Sequence, residues 1–143
     1  MIFELVPPTL EADGLGAAVA ELLGRLSEED GIETDLDDRL EVEPAEPART
    51  VCFRIVQEAL RNVGKHAHAR SVQVVLEGSG DELHARVHDD GRGFDAGSAP
   101  QPGHYGVTGI HERAEEVGGR LELRSAPGRG TTVELWIPLA APG

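Results

Sequence analysis

Cysteine, aromatic residues, basic charge and long apolar runs are all scarce in this sequence, and each scarcity removes a class of protein. The single Cys52 has no partner within the chain, which excludes a disulfide framework and a zinc site built on cysteines. The aromatic residues are Phe3, Phe53, Phe94, Tyr105 and Trp136, too few and too scattered for a base-stacking platform. Lys and Arg number 13 against 26 Asp and Glu, for a net charge of −13, so the basic footprint of a nucleic-acid binder is missing. No apolar run approaches the roughly 20 residues that a membrane span needs, so no membrane contact by this segment is expected. The opening MIFELVPPTL has neither a basic n-region nor a long apolar h-region, so no signal peptide is expected and a reducing cytoplasm fits best.

What is present suits one domain with a real core. A chain of 143 residues buries about two thirds of its unfolded surface. The charge is lopsided: fourteen of the acids, and only Arg25 and Arg39 among the bases, fall in residues 1–46. That acidic third reads as a solvated face, with repulsion or steering of a partner as the alternative.

The chain is organised around Arg54 to Arg70, RIVQEALRNVGKHAHAR. Val51, Ile55, Val56, Ala59, Leu60 and Val63 recur at helical spacing and form an apolar stripe. Glu58, Asn62 and His66, spaced i, i+4, i+8, share a second stripe, with Lys65 beside them. An acid, an amide and then cations along one helix face could hold a metal ion and the phosphates next to it. No acid occurs between Glu58 and Glu77, while Arg61, Lys65 and Arg70 are basic. In so acidic a chain this gap is either an anion site or an accident of composition.

Around that helix the elements follow in order. Val6-Pro7-Pro8-Thr9 cannot continue a helix past Pro7, and MIFEL resembles the tail of an upstream element. Gly14 to Leu26 predicts a helix, ended by Gly31. Ile32 to Leu36 alternates weakly, as an edge strand would, and Glu41 to Pro47 is an acidic loop. The central helix is expected from about Pro47 to about His66. Ser71–Glu77 and Glu82–Asp89 read as a hairpin, as do Arg120–Ser125 and Thr131–Leu139. Between them lie a glycine-rich loop over 92–105 and a helix from Val107 to Val117. The loop has the length usually reserved for functional segments. The fold class is therefore α+β: a two-layer sandwich with helices on one face of a mixed, mostly antiparallel sheet.

Four further groups could carry chemistry. In ELHARVHD, Asp89 shares the face of Leu83, Ala85 and Val87, where a buried carboxylate needs a donor such as a purine amine and a water. If the strand instead stops at Val87, Asp89 is an ordinary turn residue. Gly91 and Gly93 in DDGRG let backbone approach a flat ligand. Gly106 and Gly109 open a helix whose free N–H groups favour phosphate, or mark a plain loop-to-helix entry. Thr131 is in phase with Val133, Leu135 and Ile137, so its hydroxyl could meet Asp89 or a water. A strand-favouring threonine at a turn is the alternative. Pairs of histidines, His66 with His68 or His84 with His88, lack a third ligand at matching spacing and read as surface or structural residues.

The order of these parts is more specific than any one of them. QEALRNVGKHA resembles the N box, DDGRGF the G1 box, GHYGVTGI the G2 box and SAPGRGTTVELWIPL the closing strand pair of the ATP-binding catalytic domain of sensor histidine kinases. Those kinases belong to the gyrase, heat-shock-chaperone, kinase and mismatch-repair ATPase superfamily, whose sandwich is the Bergerat type. HERAEEVGGRLELRSAPGRGTT is similar to the NarL-like group. The resemblance covers about residue 9 to the end. It implies a domain over 9–143 with a lid at about 92–108, and makes residues 1–8 the end of an upstream dimerisation helix or linker. The G2 stretch departs from the common G-x-G-L form.

The resemblance also implies roles. Asn62 would coordinate Mg²⁺, with Lys65 and His66 facing the phosphates of ATP. Asp89 would bind the adenine amino group, supported by Thr131 through water. Gly91 and Gly93 would shape the pocket wall, and Gly106 and Gly109 the lid end. Glu58 would activate water, as in ATP-hydrolysing relatives, or polarise the metal site of a kinase. Asn62 and Glu58 are thus the candidate catalytic pair. None of the six histidines lies in a dimerisation segment, so the acceptor histidine is expected elsewhere. The implied partners are a histidine-bearing dimerisation domain and, through it, a response regulator, with the isolated domain monomeric. The setting is cytoplasmic, either free or as the cytoplasmic part of a membrane-bound sensor. Two other functions fit the same boxes: an anti-sigma-factor type serine kinase, and a non-catalytic ATP-binding regulatory module.

Overall fold

The computed structural model describes residues 7–64, 68–78, 81–92 and 107–139. Its elements are α1 (Pro8–Asp13), α2 (Leu15–Asp30), β1 (Glu33–Leu40), α3 (Ala48–Asn62), β2 (Ser71–Gly78), β3 (Glu82–Asp89), α4 (Val107–Glu116), β4 (Arg120–Ser125) and β5 (Thr131–Pro138). The strands form one sheet in the order β1-β2-β3-β5-β4. Only β1 and β2 run parallel, joined by α3 in a crossover; the other pairs are antiparallel. Both hairpins expected from the sequence form, and the sheet is mixed and mostly antiparallel.

Alternation along the strands decides which face is covered. Val72, Val74 and Leu76 of β2, Leu83, Ala85 and Val87 of β3, and Val133, Leu135 and Ile137 of β5 are buried on one face. Against them pack Phe53, Ile55, Val56 and Leu60 of α3, with α2 over β1 and α4 over β4. The other face is tied by polar cross-strand pairs. Gln73 donates to Asp35 at 3.1 Å, His84 Nε2 meets Glu134 at 2.6 Å, and Arg124 donates to Glu134 at 2.6 Å. Trp136 lies between His84, stacked at 5.2 Å, and Arg120, 4.3 Å from its ring.

The N-terminal part differs from expectation in two places. Pro8–Asp13 is a short helix with proline in its first turn, where the missing N–H costs nothing, and it buries Leu10. β1 runs to Leu40, well past the expected Leu36, because its charged side chains pair along an edge strand with one solvated face. Part of the acidic charge has a structural use. Glu43 accepts the Leu15 N–H at 2.8 Å at the start of α2, and Glu46 accepts the Thr50 N–H at 3.0 Å in the first turn of α3.

The β4–β5 turn sets a tight steric condition. Gly130 has φ 74°, and a Cβ there would stand 2.1 Å from the Asp89 carbonyl oxygen. Gly128 has φ 79° but faces open space. Gly128→Ala should therefore lose only the backbone preference, about 1–2 kcal/mol. Gly130→Ala should lose about 3 kcal/mol or more, because backbone must move. Urea unfolding of the two variants measures the difference; equal losses would contradict the contact.

Candidate functional site

Strand register gathers the candidate residues at one end of the sheet. Glu33 opposes Ser71, Val72 opposes Asp89, Asp89 opposes Thr131, and Thr131 opposes Ser125. The end of α3 arrives at the same place. A Cβ on Gly64 would come within 2.9 Å of Asp30 and 3.1 Å of Leu26, at the last turn of α2, which feeds β1. Helix α4 finishes at the opposite end, where Gly118 and Gly119 pack against Pro138 and Trp136. Helix α4 packs against α3 and β4.

Asp89 is the chemical centre of this end. It is the last residue of β3, in phase with Leu83, Ala85 and Val87, and is 3% exposed. Its Oδ1 accepts the Gly91 N–H at 2.7 Å. Burial pushes its carboxyl above the usual range, with the Gly91 amide, His88 and the Thr131 amide pulling the other way. Among the described residues it has no ion pair. Thr131 sits directly across from it, but the Thr131 hydroxyl is bonded to Ser125 Oγ at 2.8 Å; it is the backbone amide of Thr131 that faces the carboxylate.

Glu58 and Asn62 lie four residues apart near the C-terminal end of α3, both half-buried, on the helix that packs over β3 and beside α4. Gly91 is buried next to Asp89. Gly109, in the first turn of α4, has nothing within 4 Å of a Cβ position, while Ile110 beside it is buried. Lys65, His66, Gly93 and Gly106, with most of the 92–108 lid, lie outside the described residues. His84 and His88 point to the polar face of the sheet, where His88 Nδ1 meets the Thr132 hydroxyl at 2.7 Å. Among the described residues no cluster of three His, Cys, Asp or Glu could hold a metal.

Sequence reading gave Asp90 no task, yet it makes three side-chain bonds. Oδ1 accepts the N–H groups of Arg70 at 2.8 Å and Ser71 at 2.9 Å, and Oδ2 accepts the Ser71 hydroxyl at 3.0 Å. The amides of Ser71 and Arg70 hold its carboxyl below the usual range. An Asp-Gly pair after a strand signals a turn, and only the three-dimensional pairing of β2 with β3 names its partners.

A buried acid at the sheet end and an acid–amide pair on α3 are what comparison with known proteins has to explain. Residues 48–141 match the model of the histidine kinase-, DNA gyrase B- and HSP90-like ATPases. The chain belongs to that family. The sensor histidine kinase LiaS of Bacillus subtilis strain 168 is 34% identical over 139 residues, which are 97% of this chain and 38% of LiaS. A sensor-like histidine kinase of Chloroflexus aurantiacus is 36% identical over 150 residues, again 97% of this chain but 25% of that protein. The chain thus spans well under half of these relatives. Among solved structures, the histidine kinase domain of the blue-light activated histidine kinase of Erythrobacter litoralis EL346 superposes with a TM-score of 0.70 at 28% identity, over 87% of this chain and 61% of that one. The five-stranded sheet with its helices is the fold of this ATPase family, and the chain is an ATP-binding catalytic domain of the sensor histidine kinase type.

Asp89 generates a prediction about stability. An acid whose folded pKa is raised holds its proton more tightly in the native state, so its ionisation destabilises the fold. That penalty is absent below the unfolded carboxylate value of about 3.9 and fully present above the raised folded one. Asn keeps the acceptor for the Gly91 N–H. Asp89→Asn should therefore melt at or above the wild-type temperature at pH 7, and the difference should vanish at pH 3. A lower melting temperature at both values would contradict this account.

Proposed function

We propose that this domain binds Mg²⁺ and ATP at the Asp89 end of the sheet and transfers the γ-phosphoryl group to a histidine on a separate dimerisation segment, which in turn serves a response regulator in the cytoplasm. The observation that carries the reading is the buried Asp89 carboxylate, without an ion pair among the described residues, at the sheet end to which α3 brings Glu58 and Asn62. Asp89 accepts the adenine amino group, and the amide of Gly91 fixes the orientation of its carboxylate. Thr131 supports the carboxylate through its backbone amide, in place of the water-bridged hydroxyl implied by the resemblance. Gly91 leaves room for the flat base.

The donor set suits the metal. Oxygen ligands on one helix face, with no sulfur or imidazole cluster among the described residues, fit a hard cation that keeps waters and phosphate oxygens as ligands. Asn62 holds it through the amide oxygen, and Glu58 stands one turn away to polarise the site. When bound, Mg²⁺ neutralises phosphate charge. Lys65, His66, Gly106 and Gly109 would serve the same phosphates, as the family resemblance implies. Positioning and charge neutralisation supply most of the catalysis. The acceptor imidazole nitrogen forms a bond to the γ-phosphorus as the bond to the bridging β–γ oxygen breaks, and ADP leaves. LiaS and the Chloroflexus protein, both named as histidine kinases, favour this over a serine kinase or a non-catalytic module.

Calorimetric titration with ATP, with and without Mg²⁺, tests the reading. Asp89→Asn should weaken binding at least about tenfold, the loss of one hydrogen bond to a charged group. Asn62→Ala should abolish the part of the affinity that Mg²⁺ adds. Wild-type affinity in Asp89→Asn, or unchanged Mg²⁺ dependence in Asn62→Ala, would contradict it. Incubation with the separately made dimerisation segment and labelled ATP should yield phosphohistidine.

A further inference from the structure

The geometry assigns to Asp90 the task of positioning the base-reading carboxylate: its bonds to Arg70 and Ser71 fix the turn that aims Gly91 at Asp89. The inference rests on the reading of Asp89 as the acceptor for the purine amine.

The argument starts from what holds the Asp89–Arg92 segment. On the β5 side it meets backbone groups: the Thr131 amide faces the Asp89 carboxylate, Gly130 lies against the Asp89 carbonyl, and the Gly128 N–H donates to the Arg92 carbonyl at 2.6 Å. On the β2 side a side chain does the holding. The Asp90 carboxylate takes three donors from Arg70 and Ser71, and the Asp90 N–H donates to the Ser71 carbonyl at 3.3 Å. The backbone of Asp90 is thus fixed on Ser71, and its side chain on Ser71 and the preceding Arg70. The next peptide N–H belongs to Gly91 and is the one bonded to Asp89 Oδ1. With Asp90 anchored, the Gly91 N–H has one direction available, and so does the carboxylate that accepts it.

The anchor points matter as well. Ser71 is the first residue of β2, and the Arg70 carbonyl accepts the Glu33 N–H of β1 at 2.9 Å. Arg70 also ends the run that descends from Asn62. Asp90 is therefore the side chain that joins the base end of the site to the segment leading from the metal end. It does so without touching a nucleotide, because its oxygens are engaged with β2. The three bonds lie at the surface, so water can replace the carboxylate on the two amides and the fold should survive its removal.

Inosine diphosphate supplies the probe. It differs from ADP in carrying an oxygen acceptor where adenine has its amino donor, and a site built on a donor rejects it strongly. A generally loosened pocket would weaken both nucleotides alike, whereas a misaimed Asp89 loses only the preference. The wild-type domain should bind ADP at least about tenfold more tightly than inosine diphosphate. Asp90→Ala should cut that ratio roughly tenfold, the worth of a hydrogen bond to a charged group, mainly through weaker ADP binding. Asp90→Asn, whose amide oxygen can still accept both N–H groups, should stay within about threefold of wild type. Ser71→Ala removes one donor and should lower the ratio about twofold, which keeps a measurement available should Asp90→Ala not fold. A ratio unchanged in Asp90→Ala and Ser71→Ala, or equal losses for both nucleotides, overturns the role of Asp90. No preference in the wild-type domain removes the reading of Asp89 and, with it, this inference.

Discussion

A carboxylate at the end of an apolar strand face is the constraint on which this molecule turns. Moving an ionised carboxylate out of water costs several kcal/mol unless donors replace the lost hydration. Asp89 receives backbone donors from Gly91 and Thr131, and burial still raises its pKa. The surroundings are built to tolerate that load. Gly130 brings the β4–β5 turn onto the Asp89 carbonyl, where no side chain fits, and Asp90 pins the following turn to β2. Packing alone would be served better by an apolar residue at this position.

The two faces of the sheet divide the work. The covered face carries the aliphatic core and the site at its end. The polar face is closed by cross-strand pairs, in which burial pushes Glu134 up but the bonds from Arg124 and His84 outweigh it and hold it below the usual range. Those pairs occupy His84 and His88 and keep them out of any metal chemistry. Cys52 is equally removed from function: burial pushes its thiol up to about 12, so it remains an inert core residue. The proposed chemistry therefore rests on oxygen and amide groups at one end of the sheet.

Much of this was legible in the sequence because period and phase are local. The alternation in ELHARVHD placed Asp89 on the core face, and the helical stripe of Ile55, Val56, Ala59 and Leu60 placed Glu58 and Asn62 on another. Both hairpins followed from turn residues between alternating runs. What escaped depends on pairing between distant segments. β1 carries five charged residues in eight, so its length and its parallel partner show only once Glu33–Leu40 lies beside Ser71–Gly78. Pro8–Asp13 is too short to display a period. The Thr131 hydroxyl turned to Ser125, a choice made by the register of β4 on β5. The bonds from Asp90 reach back 19 and 20 residues, beyond the range of any local pattern.

The central proposal is that Asp89, a buried acid whose charge burial disfavours, accepts the amino group of the base. Following the Asp89 carboxyl carbon by NMR through a pH titration, in the free domain and in the domain saturated with ADP, measures it most directly. The account requires an elevated pKa in the free domain that falls when ADP binds, because the amine stabilises the ionised form. A pKa that ADP leaves unchanged, or raises, would contradict it.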